Sequence, residues 1–197
     1  MKKIENALVI LAGGMGSRFG KSLPKQFIQI NGENLIHFFL KRIDLNNFDI
    51  IIIVHKNSYF THIKTLIYDF PSVKFIFTSA GKNRQLSSFN ALKKLSPYNP
   101  KNVLIHDAAR PFCSNDLILK LIKQLNTNYS VVPYTLNNDK KILFKEEITD
   151  NIKFIQTPQG FKFNAIYEAH KKTTIKNAKD DSALISKEKI KLIKGDK

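Results

Sequence analysis

The fold of this chain is most constrained by a short apolar run that leads directly into glycines and then into positive charge. Leu8–Leu11 are four apolar residues in a row, followed by Ala12-Gly13-Gly14-Met15-Gly16-Ser17-Arg18-Phe19-Gly20. Such a run predicts a buried strand, and glycines let backbone amides approach an anion because no Cβ intervenes. A strand that ends in bare amides and cations is how an α/β protein holds a polyphosphate. The cations here are Arg18, Lys21 and Lys25.

Four interpretations of this glycine-rich loop can be compared. A dinucleotide fingerprint fails, because Phe19 occupies the position of its third glycine. A P-loop is one residue out of register, since five residues rather than four separate Gly14 from Gly20-Lys21-Ser22. Pro24 also disfavours the helix that a P-loop needs. A tight turn with solvated cations and a nucleotidyltransferase loop that wraps a nucleoside triphosphate both stay open at this point.

Length and charge limit the possible functions. The 197 residues fit one α/β domain, or one domain with a small extension. The net charge of +16 favours polyanionic partners, namely nucleic acid, an anionic membrane or phosphorylated substrates. The cations are spread along the chain without a long basic run, which favours a specific anion site over nucleic-acid binding.

Cysteine content and the N-terminus indicate the compartment. Cys113 is the only cysteine, so a disulfide framework and a cysteine-based metal site are excluded. A reducing cytoplasm is the simplest compartment. The apolar run Ala7–Ala12 is too short for the core of a signal peptide or for a membrane span.

Predicted strands and helices alternate along the chain. The predicted strands are Leu8–Leu11, Phe27–Ile30, Asp49–Val54, Val73–Phe77, Val103–Ile105, Ser130–Tyr134, Ile152–Ile155 and Lys191–Ile193. The predicted helices are Leu35–Arg42, Tyr59–Phe70, one from near Gln85, Asp116–Leu125, Asn164–Lys172 and one over 178–185 capped by Asp180 or Asp181. This alternation predicts an α/β fold with a mostly parallel, Rossmann-like sheet flanked by helices. A polar segment at about 135–152, with Lys140–Lys145 as one strand of a hairpin, predicts a protruding β-arm.

Two further loops carry polar side chains after predicted strands. In Gly81–Ser87, Arg84 and Ser87 lie three residues apart and can share one side of a helical first turn. Asp107 and Arg110 follow the strand Val103–Ile105, at the end where open α/β sheets place chemistry. Their alternatives are a solvated cap and a surface ion pair. His55, which also ends a strand, is interpreted as a structural residue.

Taken together, these segments resemble the 2-C-methyl-D-erythritol 4-phosphate cytidylyltransferase family of non-mevalonate isoprenoid synthesis. The resemblance spans almost the whole chain. It is carried by Ala12-Gly13-Gly14-Met15-Gly16-Ser17-Arg18, Pro24-Lys25-Gln26-Phe27, Gly81-Lys82-Asn83-Arg84-Gln85-Leu86-Ser87, His106-Asp107-Ala108-Ala109-Arg110-Pro111, Thr157-Pro158-Gln159 and Asp180-Asp181-Ser182-Ala183-Leu184.

The resemblance implies an enzyme that transfers CMP from CTP to the phosphate of methylerythritol phosphate, with Mg²⁺ and release of pyrophosphate. It implies that Arg18 and Lys25 are catalytic, and that Asp107 helps to hold the metal, which is bound mostly through phosphates. The implied nucleotide-binding residues are Ala12, Gly13, Gly14, Gly16, Ser17, Gly81, Arg84 and Ser87. The implied acceptor-binding residues are Asp107, Ala108, Arg110, Thr157 and Lys179. A homodimer through the arm is also implied, with neither nucleic acid nor membrane as a partner.

The sequence departs from the family pattern mainly in its acceptor half. Thr149 stands where the family has an arginine that reaches a neighbouring subunit's site, and Lys179 replaces a threonine. In the nucleotide half, Gly13 replaces an alanine and Lys82 an acidic residue. A C-terminal Asn-x-Lys segment is absent, so we expect a truncated C-terminus, of a longer or bifunctional protein. The alternatives are a cytidylyltransferase for another polyol phosphate such as ribitol 5-phosphate, and a catalytically impaired nucleotide-binding module.

Overall fold

The structure, a computed structural model, describes residues 3–14, 27–136, 141–143, 146–148 and 153–196, and gives the backbone alone for 141–143 and 146–148. Within these ranges the secondary structure alternates as predicted. The strands are β1 (Asn6–Leu11), β2 (Gln29–Ile30), β3 (Glu33–Asn34), β4 (Ile50–His55), β5 (Phe75–Ser79), β6 (Asn102–Asp107), β7 (Ser130–Leu136), β8 (Lys141–Leu143), β9 (Glu146–Ile148), β10 (Lys153–Ile155), β11 (Gln159–Lys162) and β12 (Ile190–Lys194). The helices are α1 (Leu35–Arg42), α2 (Phe60–Thr65), α3 (Arg84–Leu95), α4 (Asn115–Gln124) and α5 (Phe163–Lys172).

Four parallel strands form the centre of the sheet, in the order β5-β4-β1-β6. The apolar runs of β1, β4 and β6 are buried on both faces, as expected for parallel strands covered by helices. On one face, Leu8 and Ile53 pack with residues of α1, α2 and α4. On the other face, Val9 and Ile52 pack with residues of α3 and α5. The prediction of a mostly parallel sheet flanked by helices is confirmed.

The sheet continues beyond β6 with strands of both directions. β11 lies antiparallel between β6 and β7, and β12 pairs in parallel with β7. β10 pairs antiparallel with the end of β7. β8 and β9 form an antiparallel hairpin, as predicted for the arm. Thr135 and Leu136, which were predicted to begin the arm, belong to β7 instead; the remaining arm residues 137–140, 144–145 and 149–152 lie outside the described ranges.

Two predicted helices differ in the structure. In place of Tyr59–Phe70, a 3-10 turn over Asn57–Tyr59 leads into α2, which ends at Thr65. The predicted helix over 178–185 is a single 3-10 turn, Ser182–Leu184. Asp180 caps this turn by accepting the Ala183 N–H at 3.1 Å, whereas Asp181 is buried and turned toward other partners. Among the described helices, none combines the length and the apolar character that a membrane crossing requires.

Candidate active site

The candidate site lies where β1, β4 and β6 end side by side. Leu11 pairs in register with Val54 on one side and with Asp107 on the other. Just beyond the strands, the Ala12 N–H donates to the Val54 carbonyl at 2.8 Å, and the Ala108 N–H donates to the Leu11 carbonyl at 3.2 Å. Ala12 and Ala108 are both buried. The start of the glycine-rich loop is therefore fixed next to Asp107.

The structure describes only the start of the glycine-rich loop. Residues 15–26 lie outside the described ranges, and they include four predicted site residues: Gly16, Ser17, Arg18 and Lys25. Ala12, Gly13 and Gly14 precede this segment and are described. Gly14 is exposed, and among the described residues no atom lies within 4 Å of an ideal Cβ on it.

The Gly81 loop packs against the glycine-rich loop. An ideal Cβ on Gly13 would lie 2.3 Å from Ala80 Cβ and 4.0 Å from Ser87 Oγ. The Gly81 N–H donates to Ser87 Oγ at 3.0 Å, and Ser87 Oγ donates to the Asn83 carbonyl at 2.8 Å. Three of the predicted nucleotide-binding residues, Gly13, Gly81 and Ser87, are thus brought together by close packing.

Asp107 lies between two arginines. Arg84 Nε donates to Asp107 Oδ1 at 3.0 Å, and Arg110 Nε lies 3.5 Å from Oδ2. Asp107 is about a quarter exposed, whereas Arg110 is half exposed and also donates from Nη1 to the Ile155 carbonyl at 3.4 Å. The Asp107–Arg110 ion pair, named above as the alternative interpretation, is present, and it includes Arg84, which was assigned to nucleotide binding.

A second carboxylate, Asp181, holds the other side of Arg84. Arg84 Nη1 donates to Asp181 Oδ2 at 2.7 Å, and Asp181 Oδ1 lies 3.0 Å from His170 Nε2. Burial alone would raise the pKa of Asp181, but the hydrogen bond from His170 and the charge of Arg84 lower it below its ordinary value. Burial alone would lower the pKa of Arg84, and the charges of Asp181 and Asp107 raise it instead. Asp181 and Arg84 are therefore both ionised, and their charges compensate each other.

His106 and Thr157 support Asp107 from below the crevice. His106 is fully buried and stacks on Phe39 with ring centroids 4.3 Å apart. Burial lowers the pKa of His106 to about 4, so the ring is neutral near pH 7. Its Nε2 donates to the Arg110 carbonyl at 3.0 Å, which leaves Nδ1 to accept from Thr157 Oγ1 at 3.2 Å. Thr157 Oγ1 in turn accepts the Asp107 N–H at 3.3 Å.

Two of the predicted acceptor-binding residues, Arg110 and Thr157, line one cavity of about 240 Å³. Phe112, Gln156 and Asp196 complete much of its wall. Lys179 is exposed in the segment that precedes Asp181. The cavity opens beside Asp107 through these shared residues, so it adjoins the network of carboxylates and arginines.

Asp107 is the carboxylate best suited to help hold a metal ion. No group of three or more His, Cys, Asp or Glu side chains in the described ranges could hold an ion by itself. Mg²⁺ at enzyme sites is commonly bound by one or two carboxylates together with substrate phosphates and water. Asp107 fits that mode, because a single partly exposed carboxylate at the crevice can share an ion with phosphates.

Sequence reasoning missed three members of the site. Asp181 was predicted as a possible helix cap, and His170 and Ala80 were assigned no role. The pairing of Asp181 with Arg84 spans 97 positions, so no local pattern reports it. The adjacent acids Asp180 and Asp181 were the available signal. His55, interpreted as structural, is buried and stacks on Phe60.

Comparison with known proteins gives a consistent family. The family model for 2-C-methyl-D-erythritol 4-phosphate cytidylyltransferase matches residues 6–197. The enzyme of that name from Thermosipho melanesiensis is 33% identical over 190 residues, which cover 91% of this chain and 83% of the relative. The one from Clostridium perfringens is 37% identical over 205 residues, covering 95% and 88%.

Longer relatives and solved structures agree with this result. The bifunctional enzyme IspD/IspF of Pelagibacter ubique is 34% identical over 98% of this chain, which spans about half (53%) of that relative's length. The crystal structure of 4-diphosphocytidyl-2C-methyl-D-erythritol synthase from Anaerococcus prevotii superposes with a TM-score of 0.82 at 29% identity, covering 98% of this chain and 87% of that one.

Proposed function

This chain belongs to the 2-C-methyl-D-erythritol 4-phosphate cytidylyltransferase family, and from that premise we propose that it transfers CMP from CTP to 2-C-methyl-D-erythritol 4-phosphate. The observation that carries the proposal is the meeting of the Gly13–Gly81–Ser87 cluster with Asp107 at the ends of β1 and β6. The predicted nucleotide-binding cluster is thereby close to the cavity of about 240 Å³ that Arg110 and Thr157 line.

We assign the nucleotide to the two glycine loops. Ser87 Oγ donates to the Asn83 carbonyl and accepts the Gly81 N–H, so its remaining lone pair can accept a hydrogen bond from the base or ribose. Arg18 and Lys25 supply positive charge for the phosphates. The assigned residues are Ala12, Gly13, Gly14, Gly16, Ser17, Gly81 and Ser87, with Arg84 at their border. Gly13 packs against Ala80 and Gly81 against Leu86, so these two positions leave no room for a larger side chain.

In the proposed reaction, an oxygen of the acceptor phosphate attacks the α-phosphorus of CTP. A new P–O bond forms while the bond from the α-phosphorus to the bridging oxygen breaks, and pyrophosphate leaves with the electron pair. Arg18 and Lys25 are assigned to the charge that develops on the α-phosphate and on the departing pyrophosphate. No covalent enzyme intermediate is needed, which agrees with a site made of amides and cations.

We assign the acceptor to the cavity beside Asp107. Arg110 is half exposed and can bind a phosphate, and Asp107 can accept a hydrogen bond from a polyol hydroxyl. Ala108 and Thr157 shape the wall, and the exposed Lys179 supplies a further cation. When Mg²⁺ is bound, Asp107 would share it with substrate phosphates, and the ion would neutralise phosphate charge.

We also propose that the enzyme is a cytoplasmic homodimer joined through the arm. The arm's base carries two exposed apolar side chains, Leu136 at 46% and Phe154 at 40%. They lie on β7 and β10, which pair with each other next to the arm. Phe154 pairs with Thr135, so it projects from the sheet face opposite to that of Leu136. Burying Leu136 against a second copy is favourable. Sedimentation or light scattering of the wild type and of Leu136→Lys would test this: the variant is expected to be monomeric.

The function is tested by following pyrophosphate release with CTP, Mg²⁺ and one acceptor at a time. We expect release with methylerythritol phosphate and a loss of at least a hundredfold in Lys25→Ala, because an oxyanion-type contact typically contributes that much to rate. Release with ribitol 5-phosphate alone would contradict the proposed acceptor. CTP binding without turnover on any acceptor would indicate a binding module instead.

A further inference from the structure

A continuous series of side-chain contacts runs from Phe89 on α3 to Asp107 at the end of β6. Phe89 stacks on His170 with the rings 6° from parallel and 5.6 Å apart. His170 contacts one oxygen of Asp181, whose other oxygen accepts from Arg84, and Arg84 contacts Asp107. This line, from His170 through Asp181 and Arg84 to Asp107, is called the carboxylate relay below.

The buried end of the relay is rigid. The side chains of His170 and Asp181 are each about 1% exposed, whereas Arg84 is 22% and Asp107 26% exposed. Asp181 is fixed further by its chain neighbour, because the Ser182 N–H donates to Gln159 Oε1 at 3.0 Å. The side chains therefore become more exposed from His170 to Asp107. Asp107, at the exposed end, is the carboxylate that a substrate can reach.

Arg84 is the part that transmits this rigidity. Its planar guanidinium uses Nη1 for Asp181 and Nε for Asp107, so the orientation that satisfies one carboxylate also fixes the other. Without Asp181, the guanidinium would be free to turn toward Asp107 alone or toward a substrate phosphate. The orientation of Asp107 would then no longer be set by the protein interior.

We propose that Asp181 is a positioning residue for the acceptor: through Arg84 it fixes the carboxylate of Asp107 in the orientation that binds the acceptor polyol. His170 in turn orients Asp181. This inference rests on the proposed function, because it assumes that Asp107 contacts the acceptor. Asp181 is buried, yet its substitution is expected to lower kcat/KM for the acceptor.

The test compares kinetic constants for the two substrates in wild type and Asp181→Asn. Loss of one charge-assisted hydrogen bond in the relay is expected to lower kcat/KM for the acceptor about tenfold or more. The KM for CTP is expected to change less than kcat/KM for the acceptor, because Arg84 lies only at the border of the assigned nucleotide residues, whereas Asp107 is assigned to the acceptor. In an Asp107→Asn background, Asp181→Asn should add less than about twofold, since the two residues act on the same contact.

Gln85 provides a matched control on the same helical turn. Its side chain donates to the Ile175 carbonyl at 2.8 Å and accepts the Ala178 N–H at 2.9 Å, so it ties α3 to the segment before Asp181 without contacting Asp107. Gln85→Leu is expected to lower stability while leaving the KM for the acceptor within about twofold. Equal changes in acceptor KM for Gln85→Leu and Asp181→Asn would overturn the positioning role.

A readout without turnover separates this inference from the proposed function. The Arg84 Nε–H is expected to give a slowly exchanging NMR signal, identified by its loss in Arg84→Lys, and to exchange faster in Asp181→Asn. If wild type releases no pyrophosphate with any acceptor, the proposed function fails, and this signal still tests the relay. Unchanged Nε–H exchange would overturn the relay. If Asp181→Asn does not fold, His170→Phe, which keeps the ring on Phe89, is expected to change acceptor kcat/KM and exchange in the same direction.

Discussion

The methyl group of Ala80 occupies the space that a side chain on Gly13 would need. An ideal Cβ on Gly13 would lie 2.3 Å from Ala80 Cβ, well inside van der Waals contact. Both loops are anchored to the end of β4, since Ala12 donates to the Val54 carbonyl at 2.8 Å and Ala80 to the His55 carbonyl at 2.7 Å. Neither loop can move away without breaking a strand-end hydrogen bond, so the residue sizes at 13 and 80 are coupled.

Gly13→Ala should therefore destabilise the protein by about 1–3 kcal/mol and raise the KM for CTP, as an overpacked site does. Gly13→Ala combined with Ala80→Gly should recover most of the lost stability and most of the CTP affinity, because the two positions together again carry one methyl group. Urea unfolding and CTP kinetics check this. A double variant no better than Gly13→Ala would mean that the two positions are not coupled.

Gly81→Ala should be more damaging than Gly13→Ala. Its Cβ would lie 2.7 Å from the Leu86 carbonyl carbon and 2.9 Å from the Ser87 nitrogen, and backbone atoms cannot rotate away as a side chain does. We expect a lower urea midpoint and a raised KM for CTP. Gly14→Ala serves as the control for folding, because no atom of the described part of the chain lies within 4 Å of that Cβ. Its unfolding free energy should change by less than about 0.5 kcal/mol.

His106 should make stability depend on pH below neutrality. Burial lowers its pKa from 6.5 to about 4, so the unfolded chain takes up a proton at a pH where the folded protein does not. The stabilisation by neutral His106 is fully present above pH 6.5 and declines as the pH falls toward 4. The free energy of unfolding is expected to fall by about 2 kcal/mol from pH 7.5 to pH 5 because of this residue. Urea unfolding of wild type and His106→Gln at both pH values measures it. Equal pH dependence in the two proteins would exclude this role.

Cys113 should be unreactive while the protein is folded. Its side chain is buried, and burial together with the charge of Asp196 raises its pKa to about 12, so that almost no thiolate forms at pH 8. A thiol reagent should modify it slowly in buffer and rapidly in denaturant, with Cys113→Ser as the blank. Rapid labelling of the folded enzyme would show that this part of the cavity wall opens.

The sequence patterns predicted the parallel centre of the sheet well and its mixed edge less well. Asp49–Val54 and Leu35–Arg42 were recognisable because long apolar runs and helical spacing report burial directly. β11 was not among the predicted strands, because Gln159-Gly160-Phe161-Lys162 has no apolar run. Gly160 in this strand is tightly packed, since a Cβ there would lie 3.0 Å from a methyl carbon of Leu125.

The residues of the candidate site also differ in how well the sequence predicted them. Gly13, Gly81, Ser87, Asp107 and Arg110 lie in short motifs that follow apolar runs, so the sequence placed each of them after a strand. Asp181 could not be placed, because its role comes from Arg84, which is far away in the sequence. Local patterns predict caps and turns, whereas contacts between distant residues depend on the topology of the whole sheet.

The central claim is tested most directly by ³¹P NMR of the enzyme with CTP, Mg²⁺ and 2-C-methyl-D-erythritol 4-phosphate. The account predicts that pyrophosphate and a cytidine diphosphate ester of the polyol appear in equal amounts, at a rate that exceeds the rate with ribitol 5-phosphate by a large factor. An ester formed from ribitol 5-phosphate but not from methylerythritol phosphate, or CTP left unchanged with both acceptors, would contradict it.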